Sequence, residues 1–190
     1  VRAINKFNQG LSKRSAIFVS YPQAVPRTFM IDREKCIGCG LCQKLCLAGA
    51  VKYLDEEQIE AINVGAVILS PGFELSDAGA FYKYGYTRYP NVVTGLEFER
   101  MLSASGPFKG SLLRPSDGEI PRKIAFIQCV GSRDSQHPYC SSVCCTYAVK
   151  EAMVAKEHVP ITLEESIFFM DMRTYGKDFD RYYNRAIEEH

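Results

Sequence analysis

The run Cys36-Ile37-Gly38-Cys39-Gly40-Leu41-Cys42-Gln43-Lys44-Leu45-Cys46 constrains this chain more than any other stretch. Three thiols recur at every third position, and a fourth follows after three intervening residues. Two-residue gaps wind the backbone tightly enough for thiolates to converge on the corners of one iron–sulfur cube, with N–H groups turned towards the sulfides. This is the spacing of the bacterial ferredoxin run, in which the fourth cysteine often ligates a second cluster. Gly38 and Gly40 permit the close approach and the backbone conformations such a loop demands. The proline that commonly follows is Leu47 here, a change that removes no ligand atom. A structural zinc site would be expected as two separated C-x2-C pairs, not four thiols in one loop. A disulfide knot suits a small secreted chain, and no secretory signal is read in this sequence. Cys36, Cys39, Cys42 and Cys46 are therefore the expected ligands of a [4Fe–4S] cluster.

The 190 residues can hold one full domain or two small ones. An apolar share of 46% supports a real core. A net charge of +1 without a Lys/Arg block argues against a nucleic-acid surface. The longest apolar runs, residues 66–69 and 167–170, are far too short for a membrane span. Eight cysteines without a targeting segment fit a reducing, cytoplasmic setting in which thiols serve as metal ligands. The chain starts at Val1, in what reads as mid-sequence, and a piece of a larger polypeptide is expected.

Residues 1–30 read as a solvated connector, with a turn over 5–10, a short strand over 16–21, and Pro22 and Pro26 bracketing an extended piece. Residues 29–31 read as a strand entering the cysteine loop, 40–46 as a short helix, and 51–54 as a return strand. That makes half of a two-cluster ferredoxin. If the two-cluster pattern holds, Cys36, Cys39 and Cys42 supply three ligands and Cys46 reaches for a neighbouring cluster; in a single-cluster site all four close locally.

Residues 59–69 are apolar and β-branched and end at Ser70-Pro71-Gly72, which predicts a buried strand and a sharp turn. Residues 74–121 look irregular apart from a helix over 95–104, and Tyr82, Tyr84, Tyr86 and Tyr89 read as packed loop core. A strand over 123–130, a helix from about 142 to 158, a strand over 166–172 and a helix over 178–189 predict the beginning of a parallel α/β sheet. His137 reads as solvated, and His158 and His190 as helix-end residues suited to the dipole. Arg133, Asp134 and Arg173 read as surface ion pairs.

A second group, Cys129, Cys140, Cys144 and Cys145, follows the strand over 123–130 with the spacing C-x10-C-x3-C-C. In open α/β folds the crevice at a strand's C-terminal end is where ligands bind. The glycine-rich turn that would admit a dinucleotide is missing there, and thiols stand in its place. On spacing alone a second cluster, a zinc site, a disulfide between the two neighbours and buried apolar thiols all stay open.

The stretch Ile124-Ala125-Phe126-Ile127-Gln128-Cys129-Val130-Gly131-Ser132-Arg133-Asp134, with Tyr139-Cys140 and Val143-Cys144-Cys145, resembles the A subunit of heterodisulfide reductase. Pro22-Gln23-Ala24-Val25-Pro26, Tyr89-Pro90-Asn91-Val92, Leu96-Glu97-Phe98-Glu99-Arg100, Arg114-Pro115-Ser116-Asp117-Gly118 and Phe169-Met170-Asp171-Met172-Arg173 extend the resemblance over essentially the whole chain. It implies a thioredoxin-reductase-like, Rossmann-type parallel α/β sheet that binds FAD and carries an inserted ferredoxin module. Residues 1–58 would hold the partial ferredoxin module, and residues 59–190 part of the flavin domain.

The resemblance also implies that Cys129, Cys140, Cys144 and Cys145 ligate a [4Fe–4S] cluster near the flavin. Gly72 becomes a flavin contact, where the family has Ala-Thr-Gly in place of Ser70-Pro71-Gly72. No catalytic acid, base or nucleophile is implied. The expected function is electron relay within an FAD-dependent, electron-bifurcating oxidoreductase. Expected partners are other subunits of that type and a ferredoxin, hydrogenase or dehydrogenase as electron partner. A stand-alone ferredoxin-like module and a zinc-stabilised interaction domain are the alternatives.

Overall fold

A computed structural model describes residues 2–76 and 78–189; Val1 and His190, the latter expected at a helix end, lie outside the described residues. The chain begins with two small antiparallel ribbons rather than the expected connector. Strand β1 (Arg2–Ile4) pairs with β2 (Lys13–Ser15), placing Ala3 opposite Arg14. The expected turn over 5–10 closes this hairpin, with Gly10 N–H donating to the Asn5 carbonyl at 3.1 Å. Strand β3 (Ile17–Phe18) pairs with β4 (Met30–Ile31).

Long-range polar contacts tie these ribbons to the rest of the chain. Asn8, 6% exposed, accepts from Arg100 Nε at 3.2 Å and Nη2 at 3.0 Å, 92 positions along the chain. Arg14 reaches Asp32 at 2.8 Å while its guanidinium lies over the Phe18 ring. This pairing holds the Asp32 carboxyl below the usual carboxylate range.

Strand β4 leads to the cysteine loop and helix α1 (Leu41–Leu45), as the spacing predicts. The return strand over 51–54 does not form. One edge of β4 is taken by β3, and Arg33 Nη2 binds the Tyr53 and Asp55 carbonyls at 3.4 and 2.9 Å. The carbonyls that would join a ladder are held in a turn.

The buried strand expected over 59–69 is likewise absent. That stretch carries no ladder, and its apolar side chains stand in solvent, Ile68 at 91%. A strand is buried by its neighbours, and no strand among the described residues lies alongside it.

After helix α2 (Ala78–Tyr82) comes α3 (Gly95–Leu102), opened by a capping box. Thr94 Oγ1 accepts from Glu97 N–H at 3.2 Å, and Glu97 Oε2 accepts from Thr94 N–H at 2.7 Å. The expected α/β segment follows: β5 (Lys123–Ile127), α4 (Cys144–Glu157), β6 (Glu164–Phe168) and α5 (Phe179–Glu189). Strands β5 and β6 are parallel, with Ala125 opposite Ser166, and α4 is the crossover. Strand β6 begins two residues before its expected start.

The core gathers Phe98, Met101 and Leu102 of α3, Leu112, Ala155 of α4 and Leu163, with Ile124 and Phe126 of β5 against them. The Phe98 and Phe126 rings meet edge-on at 5.5 Å. The tyrosines expected as packed loop core lie outside this cluster: Tyr82, Tyr84 and Tyr89 are exposed, and half-buried Tyr86 donates to Glu97.

Candidate metal centres

The first cysteine loop opens with a turn, Cys36 N–H donating to the Asp32 carbonyl at 2.8 Å. Gly38 and Gly40 both take φ of 68°, with open space where a side chain would begin. That left-handed conformation is why these positions are glycine. Backbone amides already face the sulfurs: Gly38 N–H lies 3.5 Å from Cys36 Sγ and Ala50 N–H 3.3 Å from Cys46 Sγ. Cys42 rides on α1, its sulfur 3.0 Å from the Tyr53 hydroxyl. The Cys42 thiol, and more weakly Cys36, push the Tyr53 phenol above its ordinary pKa, so it keeps its proton.

All eight cysteines are free thiols. Among the described residues no three His, Cys, Asp or Glu side chains converge on a point that could hold one metal ion. A cube takes one thiolate at each iron, so its ligands stand wider apart than those around a single ion. Free thiols, amides turned to sulfur and the open glycine faces fit a cubane cluster at Cys36, Cys39, Cys42 and Cys46.

The second loop begins where β5 ends. Cys129 and Gly131 have φ of 59° and 72°, and Ser142, at 62°, donates its N–H to Cys140 Sγ at 3.3 Å. Cys144 and Cys145 open α4, and no side chain caps that helix. Its first N–H groups are thus left for an anionic ligand at the positive end of the dipole.

Cys145 is 3% exposed. Burial raises its thiol pKa, the nearby Cys144 and Cys129 thiols raise it further, and the Arg173 backbone amide counteracts them. Arg133 lies close enough to Cys129, and Arg173 to Cys140, to interact electrostatically. The two guanidiniums clamp Asp171 between them, Arg173 Nε at 2.9 Å. Arg133, Tyr139, Cys140 and Arg173 line a cavity of about 330 Å³.

Cys144 and Cys129 thus lie within electrostatic reach of Cys145, and Arg173 lies near both Cys145 and Cys140. Four free thiols, an uncapped helix start and two cations suit a cluster whose thiolates carry net negative charge. Arg133 and Arg173, expected as plain surface ion pairs, are also charge partners of the thiols. His137 is half-exposed and faces Asp134 at 3.7 Å. His158 caps α4, its Nδ1 2.6 Å from the Gly110 carbonyl.

Gly72 has φ of 75° and open space around its Cα. A planar ligand could approach that turn closely, and residues 70–74 around it are exposed.

Tyr53 and the group formed by Glu99, Tyr147 and Glu151 escaped the sequence reading. Neither sits at a spacing that distinguishes it from ordinary loop or helix residues.

A 4Fe-4S binding domain is matched over residues 29–52. The A subunit of the H2:CoB-CoM heterodisulfide,ferredoxin reductase of Methanothermobacter marburgensis is 46% identical over 188 residues, which is 98% of this chain and 28% of that protein. The iron-sulfur A subunit of the CoB–CoM heterodisulfide reductase of Methanocaldococcus jannaschii is 46% identical over 97% of the chain and 28% of its own length. The A subunit of the H2/formate:CoB-CoM heterodisulfide,ferredoxin reductase of Methanococcus maripaludis reaches 48% over 97% and 28%. The chain thus spans about 28% of the length of these relatives. Along almost its whole sequence it is a homologue of the A subunit of heterodisulfide reductase, whose named relatives are components of oxidoreductases.

Proposed function

We propose that this chain is the electron-relay segment of an FAD-dependent, electron-bifurcating oxidoreductase of the heterodisulfide reductase type, acting in the cytoplasm. Residues 1–58 would form a ferredoxin-type module, and residues 59–190 part of a thioredoxin-reductase-like domain. When bound, [4Fe–4S] clusters supply one-electron storage and transfer at both cysteine groups.

The chain's own residues place and tune these sites. Cys36, Cys39, Cys42 and Cys46 hold the first, with the Gly38 and Ala50 amides donating to sulfur. Cys129, Cys140, Cys144 and Cys145 hold the second, where Arg133 and Arg173 offset thiolate charge. Gly72 admits the flavin edge, and the greater part of the FAD site belongs to other parts of the enzyme. Other reductase subunits and a ferredoxin, hydrogenase or dehydrogenase are the proposed electron partners.

The observation that carries this reading is the 4Fe-4S binding domain matched over residues 29–52, with Cys129, Cys144 and Cys145 as free thiols at the junction of β5 and α4 supporting a second site. Anaerobic purification followed by iron, acid-labile sulfide and flavin counts, with EPR of the reduced sample, tests it. Equal iron and sulfide at the level of two cubes per chain supports the reading. Zinc in place of iron would overturn it.

A further inference from the structure

We propose that Tyr53 tunes the first cysteine site by donating a hydrogen bond to the Cys42 thiolate. The inference rests on a cluster being held at Cys36 to Cys46. The Tyr53 oxygen stands 3.0 Å from Cys42 Sγ, closer than either backbone amide that faces a sulfur in this loop. A ligating thiolate has no proton to give, so the phenol is the donor. A hydrogen bond to sulfur withdraws electron density from the iron–thiolate bond and favours the reduced, more negative state.

The contact is held from both sides. Cys42 is fixed on α1, whose Lys44 and Cys46 amides are bonded back to Gly40 and Gln43. Tyr53 is fixed through its main chain, since the Arg33 guanidinium binds its carbonyl at 3.4 Å and that of Asp55 at 2.9 Å. The same clamp that prevents a return strand over 51–54 thus aims the phenol at the sulfur. Tyr53 is a positioning and tuning residue and supplies no ligand atom.

The test is Tyr53→Phe in the full chain loaded anaerobically with iron and sulfide, read by EPR-monitored redox titration. At a fixed poise the ratio of reduced to oxidised first cluster should fall roughly three- to tenfold, tenfold being about 59 mV for a one-electron couple. The signal of the second site should keep its midpoint. The iron–sulfur stretching modes of the parent should shift in D2O through the phenol proton, and the variant should lose that part of the shift. Arg33→Gln, which frees the Tyr53 backbone and keeps the phenol, should give a smaller fall in the same direction. A loaded Tyr53→Phe chain with unchanged midpoint and unchanged deuterium shift overturns the inference and leaves the relay reading standing. Failure of the parent to take up a cluster at this site overturns both.

Discussion

Tyr147 of α4 donates its phenolic hydroxyl to the Glu99 carboxylate of α3, tying the two helices together beside the second cysteine loop. Four residues on, Glu151 is 5% exposed, and its Oε1 has no hydrogen-bond partner. Burial, reinforced by the Glu99 charge, pushes the Glu151 pKa up to about 8, while Tyr147 and Lys150 pull weakly the other way. A free carboxyl of this type titrates near 4.5. The folded chain therefore holds this proton more tightly than the unfolded chain does. Stability from this group is complete below pH 4.5, declines as pH rises towards 8, and levels off above it. Glu151→Gln, which stays uncharged, should flatten that decline. Urea melts at several pH values within this window measure it, and equal pH slopes for parent and variant would refute the assignment.

Gly95 sits under the same contact. A Cβ added there would meet Tyr147 Cε1 at 2.9 Å and Glu151 Oε2 at 3.6 Å. Alanine at a helix position recovers about 1 kcal/mol of backbone propensity. Overpacking costs about 1–3 kcal/mol, and the ring cannot retreat without giving up its bond to Glu99. Gly95→Ala should therefore be neutral to destabilising by about 2 kcal/mol at most, the overpacking cost less the recovered propensity. Gly65→Ala is the control, because no atom lies within 4 Å and its backbone needs no positive φ. It should gain about 0.4–1 kcal/mol by stiffening the unfolded chain. Thermal melts of the pair should differ in that order.

The α3 capping box offers a third measure. Thr94→Ala removes the acceptor for the Glu97 amide and breaks the reciprocal pair. The expected cost is about 1 kcal/mol, within the usual 0.5–2 for an N-cap. Because Phe98, Met101 and Leu102 deliver α3 to the core, the loss should appear as a lower midpoint of global unfolding. Early fraying of α3 alone would contradict that coupling.

What could be read in advance was whatever closes locally. Helices α3, α4 and α5 repeat their apolar residues at helical spacing, and β5 alternates Ile124 and Phe126 towards one side. The cysteine loop was legible because glycines and thiols must fall at fixed steps around a cube. Residues 59–69 failed because an apolar β-branched run states what a strand would bury, not what lies beside it. Residues 51–54 failed for a related reason, the Arg33 clamp being a contact across 20 positions. Strands β1 to β4 are two or three residues long, with no room for alternation. Their anchors, Arg14 to Asp32 and Asn8 to Arg100, leave no local trace. The second cysteine group was visible as a spacing, whereas its arginine partners required the fold.

The two cysteine groups should respond differently to loss of one thiol. Cys145 is buried at the head of α4 against Cys144 and Cys129, so Cys145→Ser exchanges a thiolate for a poorer ligand in a site that cannot rearrange around it. Iron and sulfide should fall by one cube per chain, with the first cluster's EPR signal intact. Cys46 lies at the far end of α1 and is already bonded to the Ala50 amide. If all four thiols of its loop close on one cube, Cys46→Ser should remove that cube and leave the second. If Cys46 serves a neighbouring cluster, the variant keeps the iron held by Cys36, Cys39 and Cys42. Iron counts and EPR of the two variants side by side decide between local and shared ligation. Retention of both cubes in Cys145→Ser would remove Cys145 from the ligand set.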